Sequence, residues 1–262
     1  MFSGYGDGVR VLRGTTIVRI LLCVIVLVVV AGCGRTADVP DRRLAPADLL
    51  LAPSDLPPGF VVTPLSVADL AASNRVAFDD AKTARFAPDF CRPTADATLN
   101  DQLRADNSAV LAARRLNTGL VELVTTQRRD LGADLFATSG RCARTETTIT
   151  KGNLAGTRIV TEYTALPVSP IDGGLRSGER AVLVRSTVTT TLPDRGVRTQ
   201  IGFAGYALLN RASSGEVTVQ LTVAGEASRA TNPPTPGLAP LSDAGFVDLF
   251  GKALQKVTNS DR

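Results

Sequence analysis

Five runs in the C-terminal half of the chain, residues 145–150, 157–164, 181–192, 197–209 and 217–224, carry apolar side chains at a period of two, the pattern of strands with one face buried. Val182, Val184 and Val188 share a face of one run. Ile201, Phe203, Ala207 and Leu209 share a face of another, and Val217, Val219, Leu221 and Val223 of the last. Connections such as Pro193-Asp194-Arg195-Gly196 and Ser213-Ser214-Gly215 leave room only for a reversal, so consecutive strands are expected to pair antiparallel. Residues 108–116 and 120–128 read as a further hairpin about Asn117-Thr118-Gly119, with Arg114 opposite Val121.

A sheet of this kind needs cover for its apolar face. Beyond the Pro-rich breaker 232–237, Ser242 is placed to cap a helix whose stripe is Phe246, Leu249, Phe250, Ala253, Leu254 and Val257, with Lys252 and Lys256 favourably late against the helix dipole. Shorter helices are expected over 65–72, capped by Ser66, and over 94–104, where Leu99 and Leu103 lie four apart. A third would use Leu131, Leu135 and Phe136, and the segment 74–93 reads as irregular. The expected fold class is α+β: a single domain over 49–262, an antiparallel sheet with helices mainly on one face.

The chain contains no histidine. That absence removes Ser-His-Asp and Cys-His nucleophile pairs, HExxH zinc sites, zinc fingers and proximal-histidine haem, all of which use imidazole as base or ligand. A formal charge of +4 over 262 residues is too slight for nucleic-acid binding. No cofactor, no metal and no catalytic residue is expected. A hydrolase would need a Ser or a carboxylate pair beside Lys82 or Lys151.

At the N-terminus Arg10, Arg13 and Arg19 precede an unbroken apolar run over 20–31, shorter than the ~20 residues that span a bilayer. Val30-Ala31-Gly32-Cys33 resembles the bacterial lipobox, in which the signal is removed before the cysteine and its thiol is joined to diacylglycerol. The resemblance implies a signal peptide over 1–32, lipidation of Cys33, a solvated tether over 33–48, and a chain held on the outer face of the cell membrane by its acyl groups. Cys23 leaves with the signal. Cys91 and Cys142 then remain as one pair in an oxidising compartment, and a disulfide between them is expected.

The lipobox, the Pro-rich stalk, the opening Leu49-Leu50-Leu51-Ala52-Pro53-Ser54-Asp55-Leu56-Pro57-Pro58-Gly59-Phe60, the Cys pair bracketing helices and a hairpin, and the antiparallel C-terminal half together resemble actinobacterial, mycobacterial-type sensor-domain-like lipoproteins. The likeness extends, more distantly, to the extracellular sensor domains of mycobacterial Ser/Thr kinases. It implies a non-enzymatic module that binds an envelope ligand or protein, with a scaffolding role in envelope assembly as the alternative.

Candidate binding residues are few. Glu122 and Glu162 lie within apolar strands, where a carboxylate is either a ligand group in a cleft or, by simple alternation, a solvent-facing position. Asp79-Asp80 with Lys82 reads as an exposed charged loop, and Arg114-Arg115 and Arg128-Arg129 as separate solvent or edge charges. The long connection 166–179, with Ile171-Asp172-Gly173-Gly174, is the candidate binding loop.

Overall fold

All five predicted runs form strands, and one meander contains them: β5 (Arg144–Thr148), β6 (Arg158–Ala165), β7 (Arg180–Thr191), β8 (Val197–Arg211) and β9 (Gly215–Ala224), each antiparallel to the next. The structure is a computed structural model that describes residues 45–168, 175, 177–211, 215–229 and 239–259. Cys33 with the lipobox, most of the tether, the 169–174 part of the candidate loop and the breaker at 232–237 lie outside the described residues. Among those that are described, no helix is long and apolar enough to cross a membrane.

The hairpin β3 (Ser108–Arg115) and β4 (Thr118–Thr125) joins the meander through β4 on β9. Short strands β1 (Val61–Thr63) and β2 (Arg85–Ala87) close the two ends, giving the order β1-β3-β4-β9-β8-β7-β6-β5-β2, while β10 (Ser228–Arg229) pairs with β8. The β3–β4 register differs from the expected one: Arg114 faces Gly119, not Val121. The reversal is made by Leu116-Asn117, with Leu116 at φ 52° and its side chain 92% exposed. Asn117 thus fills the second turn position, and the apolar residue before it is displaced into solvent.

Helix α4 (Asp243–Asn259) starts as predicted, with the Gly245 amide donating to Ser242 Oγ at 3.0 Å, and its stripe is buried with Val247 added. It packs on the face built by Phe203, Ala207 and Leu209 of β8 and Val219, Leu221 and Val223 of β9. Phe246 stacks on Phe203 at 5.1 Å, and Phe250 lies against Gly205, where a Cβ would come within 2.7 Å of the ring. Glycine is what allows the helix to approach the sheet there.

The other face carries α1 (Val67–Lys82), α2 (Ala95–Asn100) and α3 (Leu131–Thr138), so three of the four α-helices among the described residues share one side. Ser66 caps α1 in a reciprocal box with Asp69, but the helix continues through a segment expected to be irregular, so Asp79, Asp80 and Lys82 are helical rather than in a loop. Lys82 pairs with Asp79 at 2.7 Å on the surface. No residue of α1 is fully buried. In α3 the expected apolar stripe is corrected: Leu131 and Asp134 are buried, whereas Leu135 and Phe136 are exposed. The disulfide Cys91–Cys142 is present, with 5.4 Å between Cα atoms.

Candidate ligand cleft

Four residues beyond the end of β4 a single side chain, that of Arg129, gathers the helices. Thr218 of β9 accepts from the Arg129 amide at 3.1 Å and donates to the Gln127 carbonyl at 2.7 Å, which turns the Arg129 side chain inward. That side chain is 0% exposed. Its Nε and Nη2 donate to the two oxygens of Asp134 at 2.6 and 2.7 Å, a fork-to-fork pair, and Nη1 donates to Asp96 Oδ1 at 2.8 Å and Gln220 Oε1 at 3.0 Å. The guanidinium carbon lies 3.8 Å from the centre of the Tyr206 ring. Burial works against the charge on Arg129, but the hydrogen bonds to Asp134 and the charge of Asp96 outweigh it and hold the guanidinium protonated above its ordinary range. Arg129 is therefore not the solvent charge its Arg-Arg setting suggested: it ties α2, α3, β8 and β9 together. Sequence alone gives one hint, the Asp five residues later on the inward side of α3.

Above this network α1 stands off the sheet. Leu70, Asn74 and Phe78, spaced one turn apart, form the roof of an inner chamber of about 310 Å³ whose floor is Val121, Tyr206 and Gln220. An outer chamber of about 460 Å³, mostly apolar and lined by Phe86, Pro93 and Ala97 among others, adjoins it. Phe78 and Asp96 line both. Asn74 Nδ2 donates to Asn100 Oδ1 at 3.1 Å, and Asn100 Nδ2 to the Ala71 carbonyl at 3.1 Å, so one amide pair hinges α1 to α2. Burial raises the pKa of the Tyr206 hydroxyl, which has no hydrogen-bond partner among the described residues. An apolar chamber with a few converging polar groups is the ordinary form of a small-molecule site.

Neither glutamate belongs to this cleft. Glu162 faces solvent and pairs with Arg144 at 3.1 Å. Glu122 is 0% exposed on the opposite face, beneath the N-terminal segment, where Oε2 accepts from the Leu51 amide at 2.9 Å and Oε1 is buried with no hydrogen-bond partner among the described residues. The two carboxylates stand four strands apart, about 19 Å at the usual strand spacing. The outward reading of Glu122 fails because both faces of the central sheet are covered, so alternation there leads to no solvent-facing position. Lys151 is exposed in the β5–β6 connection, and no group of three or more His, Cys, Asp or Glu among the described residues is placed to hold a metal.

Glu122 gives the first testable consequence. Burial raises its pKa from 4.5 to about 7; the Leu51 amide and the Lys256 charge pull it down, and Asp55 pushes it up. The folded state thus holds a proton that the unfolded chain releases between pH 4.5 and 7, so this group's contribution to stability falls as pH rises through that window, by about 3 kcal/mol in all. Urea unfolding from pH 5 to 8 is expected to show wild type losing stability relative to Glu122→Gln as pH rises. A constant difference across that range would refute the assignment.

No protein-family model matches the chain, and no curated protein matches it. It is similar to an X-ray structure of an uncharacterised Mycobacterium smegmatis protein, described as an Rv0999 ortholog, over 83% of this chain and 98% of that one, at 15% identity and a TM-score of 0.43.

Proposed function

We propose that the chain is a non-enzymatic binding module, sensor-like in layout, held outside the cytoplasm by a lipid on Cys33, and that the cleft between α1 and the sheet receives a small molecule. The observation that carries this reading is the pair of chambers meeting at Phe78 and Asp96, with a polar floor and an apolar outer part. The lipobox-like run ending at Cys33 supports the placement. Arg129 and Asp134 are spent on each other, which supports binding over catalysis.

Ala97→Trp fills the outer chamber and brings the chain its first tryptophan as a fluorescent reporter. Mass spectrometry of protein purified from its native envelope is expected to find a bound small molecule on wild type and none on the folded variant. Equal emptiness of both would count against the reading. One observation favours the scaffolding alternative: Phe90 and Phe136, 42% and 57% exposed, lie 6.2 Å apart beside the disulfide. Empty preparations that carry a protein partner, lost on Phe136→Ser, would move the function to that surface.

A further inference from the structure

We infer that the cleft selects an organic cation, an alkyl or aryl ammonium whose nitrogen sits at Asp96 and whose apolar body occupies the outer chamber; this rests on the cleft being a ligand site. Charge gives the first reason. One guanidinium, Arg129, serves two carboxylates, Asp96 and Asp134, so the cluster carries one negative charge in excess. Asp134 is buried and satisfied by both nitrogens of the fork. Asp96 is 40% exposed, gives only Oδ1 to Arg129, and its Oδ2 has no donor among the described residues. The excess charge is therefore at Asp96, the carboxylate that lines both chambers.

The hydrogen-bonding inventory gives the second. Asn74 uses one Nδ2 hydrogen on Asn100, and its amide oxygen has no donor among the described residues. Tyr206 brings a hydroxyl and Asp96 an unshared oxygen to the same chamber. Gln220 Nε2 and the second Asn74 hydrogen are donors in the same chamber, but Asp96 is the charged side chain of its lining. An ammonium, with three donors for the Asp96, Asn74 and Tyr206 oxygens, is therefore favoured over a carboxylate or phosphate, which faces like charge. Phe78, which lines both chambers together with Asp96, brings an aromatic ring to the same junction.

The cations at the rim are otherwise engaged. Arg92 donates to the carbonyls of Ala81 and Ala84 at 2.6 and 3.0 Å, covering the C-terminal end of α1, and lies over the Phe86 ring at 4.5 Å. Lys82 is paired with Asp79. The Lys82 charge is offset by a carboxylate, whereas Arg92 keeps its charge and directs it at the carbonyls at the end of α1 and the Phe86 ring.

The test is calorimetric titration of the full chain with 2-phenylethylammonium, 2-phenylethanol and 3-phenylpropanoate, three probes of similar shape and different charge. The ammonium is expected to bind at least ten times more tightly than the other two. Asp96→Asn, whose amide oxygen still accepts from Arg129, is expected to erase that preference, bringing the Kd of the ammonium within about threefold of that of the alcohol. Equal binding of alcohol and ammonium to wild type, or a preference that survives Asp96→Asn, overturns the cation assignment and leaves the ligand site standing. Absence of binding by all three overturns the assignment together with the ligand site beneath it.

Discussion

An Arg129→Ala variant is expected to lose about 3–5 kcal/mol of stability, a large part of the total for a domain of this size. The reason is the charge left behind. Asp134 is buried and has given both its oxygens to Arg129, so truncation strands a carboxylate in a site from which water is excluded, while Gln220 loses its donor and Tyr206 the cation over its ring. Asp96, half-exposed, can rehydrate. The companion variant makes the prediction specific: Arg129→Met with Asp134→Leu removes both members of the buried pair and is expected to recover most of the loss. Denaturant midpoints of the three proteins decide it. A loss below 1 kcal/mol for Arg129→Ala, or a double variant no better than the single one, would show that the network is not what joins the helices to the sheet.

The second large effect belongs to the disulfide. Cys91 and Cys142 close a loop across 51 positions, and in the chain-entropy account a loop of that length stabilises the fold by about 4 kcal/mol through its effect on the unfolded chain. Cys91→Ser with Cys142→Ser is expected to lower the unfolding free energy by that amount, and the urea midpoint with it, and to raise the m-value, because the unfolded chain is freed to expand. The bridge brackets α2 and α3, the helices that supply Asp96 and Asp134. Its loss is therefore expected to weaken ligand binding in the cleft as well as stability. Unchanged midpoints would mean that contacts of α2 and α3 alone fix their spacing.

What the sequence made legible follows from how each element is stabilised. The meander β5–β9 and helix α4 bury continuous apolar faces, so period two in Val217, Val219, Leu221 and Val223, and the stripe from Phe246 to Val257, mark them directly. The Cys91–Cys142 bridge followed from counting thiols. Helix α1 was visible only over its first turns, because its inward residues Asn74, Phe78 and Ala81 roof a cleft and bury no complete side chain; the apolar signal of a packed helix is weak where packing is incomplete. The solvated reading of Arg129 and the outward reading of Glu122 fail for a shared reason. A charged residue in a strand or next to another arginine reads as solvated, and only the second layer of helices, invisible to strand periodicity, encloses it. The cleft itself draws on α1, α2, β4, β8 and β9, elements scattered over some 150 positions, so no local motif could announce it.

Residue-resolved amide hydrogen exchange along Val67–Lys82 of the full chain tests most directly whether the space under α1 is a binding site. A helix with no fully buried side chain is expected to open far more readily than β8 and β9 in the free protein. At saturation with 2-phenylethylammonium, exchange in α1 and α2 is expected to slow tenfold or more while α4, on the opposite face, stays unchanged. Exchange in α1 that is indifferent to the saturating probe, or slowing confined to α4 or to the surface around Phe90 and Phe136, would contradict the account.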